Sequence, residues 1–183
     1  HHFDPYGMPP TMSIKPGWDY MGNLSEGMAL GGMTLHFQGY GFNVSATDYT
    51  CQFSLGHRQM QSPGNATSST TLHCKVPAWG LAYPAFDERV KVNLLKGDMR
   101  LDYTGGGFES VMCGASDEAC SFGFYPVWNS SGVEAPGGLE GSAGGGKTLK
   151  ILGYGFNPSL HYYCNFSRAD PSGGTQTAQS EVR

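Results

Sequence analysis

The sequence predicts an all-β protein made of β-sandwich units in tandem, the second copy incomplete. Three observations predict it. The first is a long internal repeat. Gly31-Gly32-Met33-Thr34-Leu35-His36-Phe37-Gln38-Gly39-Tyr40-Gly41-Phe42-Asn43 returns as Gly145-Gly146-Lys147-Thr148-Leu149-Lys150-Ile151-Leu152-Gly153-Tyr154-Gly155-Phe156-Asn157, and Tyr49-Thr50-Cys51-Gln52-Phe53-Ser54 returns as Tyr162-Tyr163-Cys164-Asn165-Phe166-Ser167. The period of about 110 residues is the size of one sandwich domain. The second is composition: charged residues make up only 14% and aromatics 13%, with 28 glycines. That mixture suits short strands and tight turns, whereas helical bundles draw on Ala, Glu, Lys and Leu. The third is periodicity. Apolar and polar residues alternate in short runs, and no stretch carries a helical period.

The elements follow in order. Residues 1–11 are Pro-rich and read as a linker or the tail of a preceding unit. Met12-Ser13-Ile14-Lys15-Pro16 reads as a short edge strand stopped by proline. Met33, Leu35 and Phe37 alternate with Thr34, His36 and Gln38, which predicts a half-buried strand. Gly39-Tyr40-Gly41-Phe42 reads as a turn with two buried rings. Thr50–Ser54 is the next strand, with Cys51 and Phe53 inward, and 55–69 reads as a polar loop. Leu72, Cys74 and Val76 alternate up to Pro77. Val90, Val92 and Leu94 form a strand, and the Lys96-Gly97-Asp98 turn leads to Met99, Leu101 and Tyr103 as a hairpin. Phe124-Tyr125-Pro126-Val127-Trp128 matches Ile14-Lys15-Pro16-Gly17-Trp18 in the placement of Pro and Trp, so the period starts upstream of the glycine pair.

Cysteines and asparagines point to an oxidising, exported setting. Cys51 and Cys74 sit in strand-like runs and are expected to pair as neighbouring core strands; Cys113 and Cys120 bracket a short loop; Cys164 is left over. Disulfides imply export, while five reduced buried thiols would suit a cytosolic chain. Asn23, Asn43, Asn65, Asn129 and Asn165 all begin N-x-Ser/Thr acceptors for N-linked glycans, and Asn157 is excluded by Pro158. A net charge of −4 argues against a nucleic-acid partner. The absence of a long apolar run argues against a membrane span in this segment. No signal peptide is visible and the chain does not begin with Met, so it reads as a mature or excised segment.

Several patterns lead nowhere chemically. Gly141 to Thr148 satisfies the phosphate-loop spacing, but a strand-like run follows it where the loop needs a helix. Asp117 and Glu118 are too few carboxylates for a calcium shell. His1-His2 is a tag remnant or native sequence, and His36, His57, His73 and His161 read as dispersed. No catalytic arrangement emerges, so the expectations are no enzyme activity, no metal and no cofactor beyond covalent N-glycans. Trp18, Trp79, Tyr83 and Trp128 could stack on sugars, or fill the core and the seam between units.

The series Ile14 to Pro16, Gly31 to Leu35, Gly39 to Phe42, Tyr49 to Phe53 and Leu72 to Pro77 resembles the IPT/TIG family of immunoglobulin-like domains. The resemblance implies one domain over 12–123, carrying a C-terminal Cys113–Cys120 loop, and the front of a second over 124–183. The Cys113–Cys120 insertion has no counterpart in the family pattern. Aligned on the first copy, Glu181-Val182-Arg183 matches Thr71-Leu72-His73, which places the second cysteine's partner just after Arg183. Such domains occur in cell-surface receptors of the plexin and fibrocystin sort, in bacterial surface proteins and enzymes, and in some transcription factors. The resemblance therefore implies a fold and a modular habit. The expected function is an extracellular, glycosylated structural repeat that builds a fibre, stalk or surface appendage. Head-to-tail stacking or strand completion by further copies of itself would build it. The alternatives are a receptor or adhesion ectodomain that binds a protein ligand, and an accessory sugar-binding domain of an extracellular enzyme.

Overall fold

The computed structural model describes residues 16–22, 25–85, 88–103, 120–169 and 175–182, and these are nearly all β. The helical element among them is a single 3-10 turn, Trp79–Leu81. The first repeat contains β1 (Gly17–Met21), β2 (Glu26–Met28), β3 (Thr34–Tyr40), β4 (Tyr49–Leu55), β5 (Arg58–Ala66) and β6 (Thr71–Lys75). It continues through β7 (Val90–Lys96), β8 (Met99–Arg100), β9 (Asp102–Tyr103) and β10 (Ser121–Tyr125). They form one mixed sheet in the order β2-β10-β7-β4-β5-β6-β3-β1-β9, with β8 on β7.

The sheet curls because β5 changes partners along its length. Arg58 to Pro63 pair with β4, and Gly64 to Ala66 pair with β6. Pro63 has no N–H to give, so it sits where one ladder gives way to the other. A side chain at Gly64 would press on Tyr49 Cβ at 3.0 Å and Cys74 Sγ at 3.3 Å, so the two layers close over this point. Cys51 of β4 and Cys74 of β6 are thereby brought to a Cα separation of 6.2 Å and joined by a disulfide. They are not sheet neighbours as expected, because β5 lies between them.

The sequence reading of 55–69 as a loop is corrected by β5. Its Gln, Ser, Pro and Gly residues have little intrinsic preference for strand. The backbone is held extended by β4 on one flank and β6 on the other. Tyr40 is likewise exposed, since it ends β3 on the outer face, while Phe42 is buried. Of the expected strand at 12–16, only Pro16 falls within the described residues, and β1 begins after it. Phe124 and Tyr125 lie on β10 inside the first sheet, beyond the boundary expected at 123.

Alternation makes the core. Leu35 and Phe37 of β3, Cys51 and Phe53 of β4, Leu72 and Cys74 of β6, Val90, Val92 and Leu94 of β7, and Phe122 and Phe124 of β10 all point inward and are buried. Each fully buried large side chain contributes roughly 1.5–3 kcal/mol. Trp18 sits among them, edge-on to Phe37 at 5.4 Å and tilted against Tyr103 at 4.6 Å.

The second repeat contributes β11 (Val127–Glu134), β12 (Lys150–Tyr154), β13 (Tyr162–Ala169) and β14 (Thr175–Val182). They form two hairpin-like pairs, β11 with β12 and β13 with β14. Val127 faces Tyr154 and Trp128 faces Gly153, the same register as Gly17 with Tyr40 and Trp18 with Gly39. Cys164 faces Ser180 as Cys51 faces Ser62.

Candidate functional site

The repeated sequence is repeated in backbone geometry. Gly31, Gly32 and Gly41 have φ of +75°, +87° and +72°; Gly145, Gly146 and Gly155 have +74°, +85° and +76°. Only glycine adopts these angles without strain, which is why the motif keeps it there. The corner that follows is closed twice in the same way. The backbone N–H of Asn43 donates to Tyr49 Oη at 2.8 Å, and that of Asn157 donates to Tyr162 Oη at 2.8 Å. Phe42 meets Tyr49 edge to face at 5.9 Å, and Phe156 meets Tyr162 at 5.4 Å.

What does not recur is the cover over the apolar face. Phe53 is 0% exposed and its counterpart Phe166 is 46% exposed; Trp18 is 1% exposed and Trp128 is 59%. Phe42 is buried and Phe156 is exposed. Leu149, Ile151 and Cys164 are half-buried where Leu35, Phe37 and Cys51 are fully buried. In the first repeat β6 pairs with β3 and β7 pairs with β4. Among the described residues, β12 and β13 have no such neighbours, so each leaves one backbone edge and one apolar face open. Cys164 is a free thiol at the position where Cys51 is bonded.

The register also corrects the alignment of the chain's last residues. β14 is the counterpart of β5, not of β6, so Glu181-Val182 do not stand for Thr71-Leu72. The turn Gly56-His57 joins β4 to β5, whereas 170–174 separate β13 from β14. The longer connection shifts the later strand along the chain.

Between the repeats lies a joint made of backbone. Gly155 N–H donates to the Gly80 carbonyl at 3.2 Å, and its own carbonyl accepts from Ala85 N–H at 2.8 Å. Gly80 N–H donates to the Ala29 carbonyl at 2.8 Å, and Ala29 N–H donates to the Tyr125 carbonyl at 2.9 Å. Trp79 anchors this turn: it is buried, stacks on Phe124 at 5.3 Å and donates its indole N–H to the Pro84 carbonyl at 3.2 Å. Tyr83 tilts against it at 4.7 Å. A Cβ at Gly155 would sit 2.7 Å from Ala29 Cβ and 3.0 Å from Ala85 Cβ, at a φ that side chains avoid. Gly155→Val is therefore expected to open the joint while the first sandwich stays folded. Small-angle scattering should show a broadened distance distribution with an unchanged near-ultraviolet spectrum for the first core; an unchanged distribution would mean that the joint is not held at this glycine.

The remaining sequence-predicted residues fall as follows. Asn43, Asn65, Asn129 and Asn165 are exposed, and Asn23 lies outside the described residues. Asn43 Oδ1 accepts from Ser45 N–H at 2.9 Å, and Asn129 Oδ1 accepts from Ser131 N–H at 3.0 Å. Cys120 is buried and disulfide-bonded; Cys113, Asp117 and Glu118 lie outside the described residues. Lys147 donates to the carbonyls of Gly138 and Glu140, and Thr148 leads toward strand β12 rather than a helix. Of the aromatic candidates, Trp18 and Trp79 are core and Trp128 is exposed.

Two of the histidines that read as dispersed meet in space. His36 and His73 are direct cross-strand partners on β3 and β6, with ring centroids 4.2 Å apart. His73 is held below the ordinary histidine range, first by burial and then by the neighbouring His36. Their separation in sequence concealed this pairing; the signal available was that both sit at outward positions of alternating strands. Among the described residues, no group of three or more His, Cys, Asp or Glu could hold a metal ion, and no helix is long and apolar enough to cross a membrane.

No protein-family model matches the chain, and no curated protein matches it. Among solved structures it is similar to the plexin A4 full extracellular region, with a TM-score of 0.40 and 9% sequence identity. The match covers 60% of this chain and 11% of that one. A likeness at this level supports no conclusion about function.

Proposed function

We propose that the chain is a non-enzymatic, extracellular structural protein of IPT/TIG-like repeats, a building block of a fibre, stalk or surface appendage. Each repeat stacks head to tail on the next through the glycine joint, and N-glycans on the exposed acceptor asparagines coat the outer faces. The open face of the second repeat is completed by strands of a further repeat, taken from another copy or from further along the same polypeptide. The observation that carries the reading is the contrast between the two repeats: the same corner and register, with the second apolar face and Cys164 left uncovered. An unpaired strand edge beside exposed apolar residues favours strand addition. When the donated strand comes from the next molecule in a head-to-tail manner, the assembly is open and grows as a filament.

Electron micrographs of the native material, together with intact mass before and after glycosidase treatment, test this. Filaments and a mass loss on treatment are expected. Dispersed particles at high concentration would instead favour the receptor or adhesion reading, and an unchanged mass would remove the glycans.

A further inference from the structure

Two histidines remote in sequence meet on the outer face of the first repeat. Leu35 and Phe37 flank His36 and are buried, as Leu72 and Cys74 are beside His73. Strand alternation therefore drives both imidazoles outward. The register sets them directly opposite each other, and Asn65 of β5 continues the same row beyond His73. On the other side the row ends at Gly22, whose N–H donates to the His36 carbonyl at 2.7 Å and which brings no side chain over the ring. The two rings stand 4.2 Å apart at 55°. Neither imidazole has a hydrogen-bond or ion-pair partner among the described residues.

We propose that His36 and His73 form a two-point chelate for a borderline divalent transition cation, Zn(II) or Cu(II), with the remaining positions taken by water. Imidazole nitrogen is a preferred ligand for both ions. Ligand bonds of about 2.0–2.1 Å place two nitrogens on one ion roughly 3 Å apart. Rings already in side-by-side contact reach that spacing by rotating about their side-chain bonds. Lys75, opposite Thr34 in the adjacent row, places a like charge on the same face. Two protein ligands leave the coordination sphere open, so a carboxylate or imidazole of a neighbouring molecule can complete it.

The test uses the full chain with His1→Ala and His2→Ala, so that the N-terminal imidazoles do not compete. Substoichiometric Cu(II) is expected to broaden the proton resonances of His36 and His73 selectively and to leave His57 and His161 sharp. Electron paramagnetic resonance should show nitrogen ligation. His36→Asn or His73→Asn should each weaken the Cu(II) affinity by about tenfold or more. Because the broadening is read on unsubstituted histidines, it does not depend on the variants folding. Equal broadening of all the histidines, unaltered affinity in both variants, or no Cu(II) bound at all would each overturn the proposal.

Discussion

Phe53→Ala is expected to cost about 3–5 kcal/mol of unfolding free energy, whereas Phe166→Ala, the same residue of the repeat, should change it by less than about 0.5 kcal/mol in the isolated chain. The two phenylalanines occupy equivalent strands, β4 and β13. Phe53 is fully enclosed, with Phe122 and Phe124 both at 6.2 Å. Its removal leaves a cavity that the curled sheet fills only in part. Phe166 is 46% exposed, so truncating it removes contact mostly with water. Its effect should appear in assembly: micrographs of Phe166→Ala are expected to show fewer and shorter filaments. Urea unfolding followed by tryptophan fluorescence gives the first comparison. Equal losses for the two variants would mean that the second face is already covered.

Removing the Cys51–Cys74 disulfide with the double variant Cys51→Ala, Cys74→Ala should destabilise the chain by about 3 kcal/mol. The bond closes a loop whose ends are 23 residues apart, and the loop-closure estimate for that length lies near this value. The bond also links β4 to β6 across β5, so it fixes the place where the sheet folds back. Both sulfurs are buried, so the vacated volume adds to the loss. Cys164→Ser is the control, and it should shift the midpoint of unfolding by no more than an ordinary surface substitution. A shift in the double variant no larger than in the control would show that the crosslink does not constrain the unfolded chain.

The residues legible in advance share one property: their own neighbours in sequence reveal the face they occupy. β3, β4, β6 and β7 alternate strictly, and their inward residues were readable one by one. The turn at Gly39-Tyr40-Gly41-Phe42 was readable too, and Gly41 in it takes a positive φ that favours glycine. β5 was not readable, since Gln59, Gln61, Ser62, Pro63 and Gly64 carry no strand signal and are held extended only by β4 and β6. The His36–His73 contact and the Gly80–Gly155 joint were hidden for a related reason. Each joins segments distant in the chain, and no local pattern records the register that brings them together.

The sequence by itself determined the all-β class, the repeat, the pairing of Cys51 with Cys74 and the inward set of each alternating strand. These follow from side-chain chemistry at short range, where period and polarity dictate which face seeks the core. Tertiary structure alone decided how β5 bridges two layers and how Gly155 docks on the first repeat. Both depend on segments far apart in the chain, and burial depends on what packs opposite a residue, which no local pattern of polarity records.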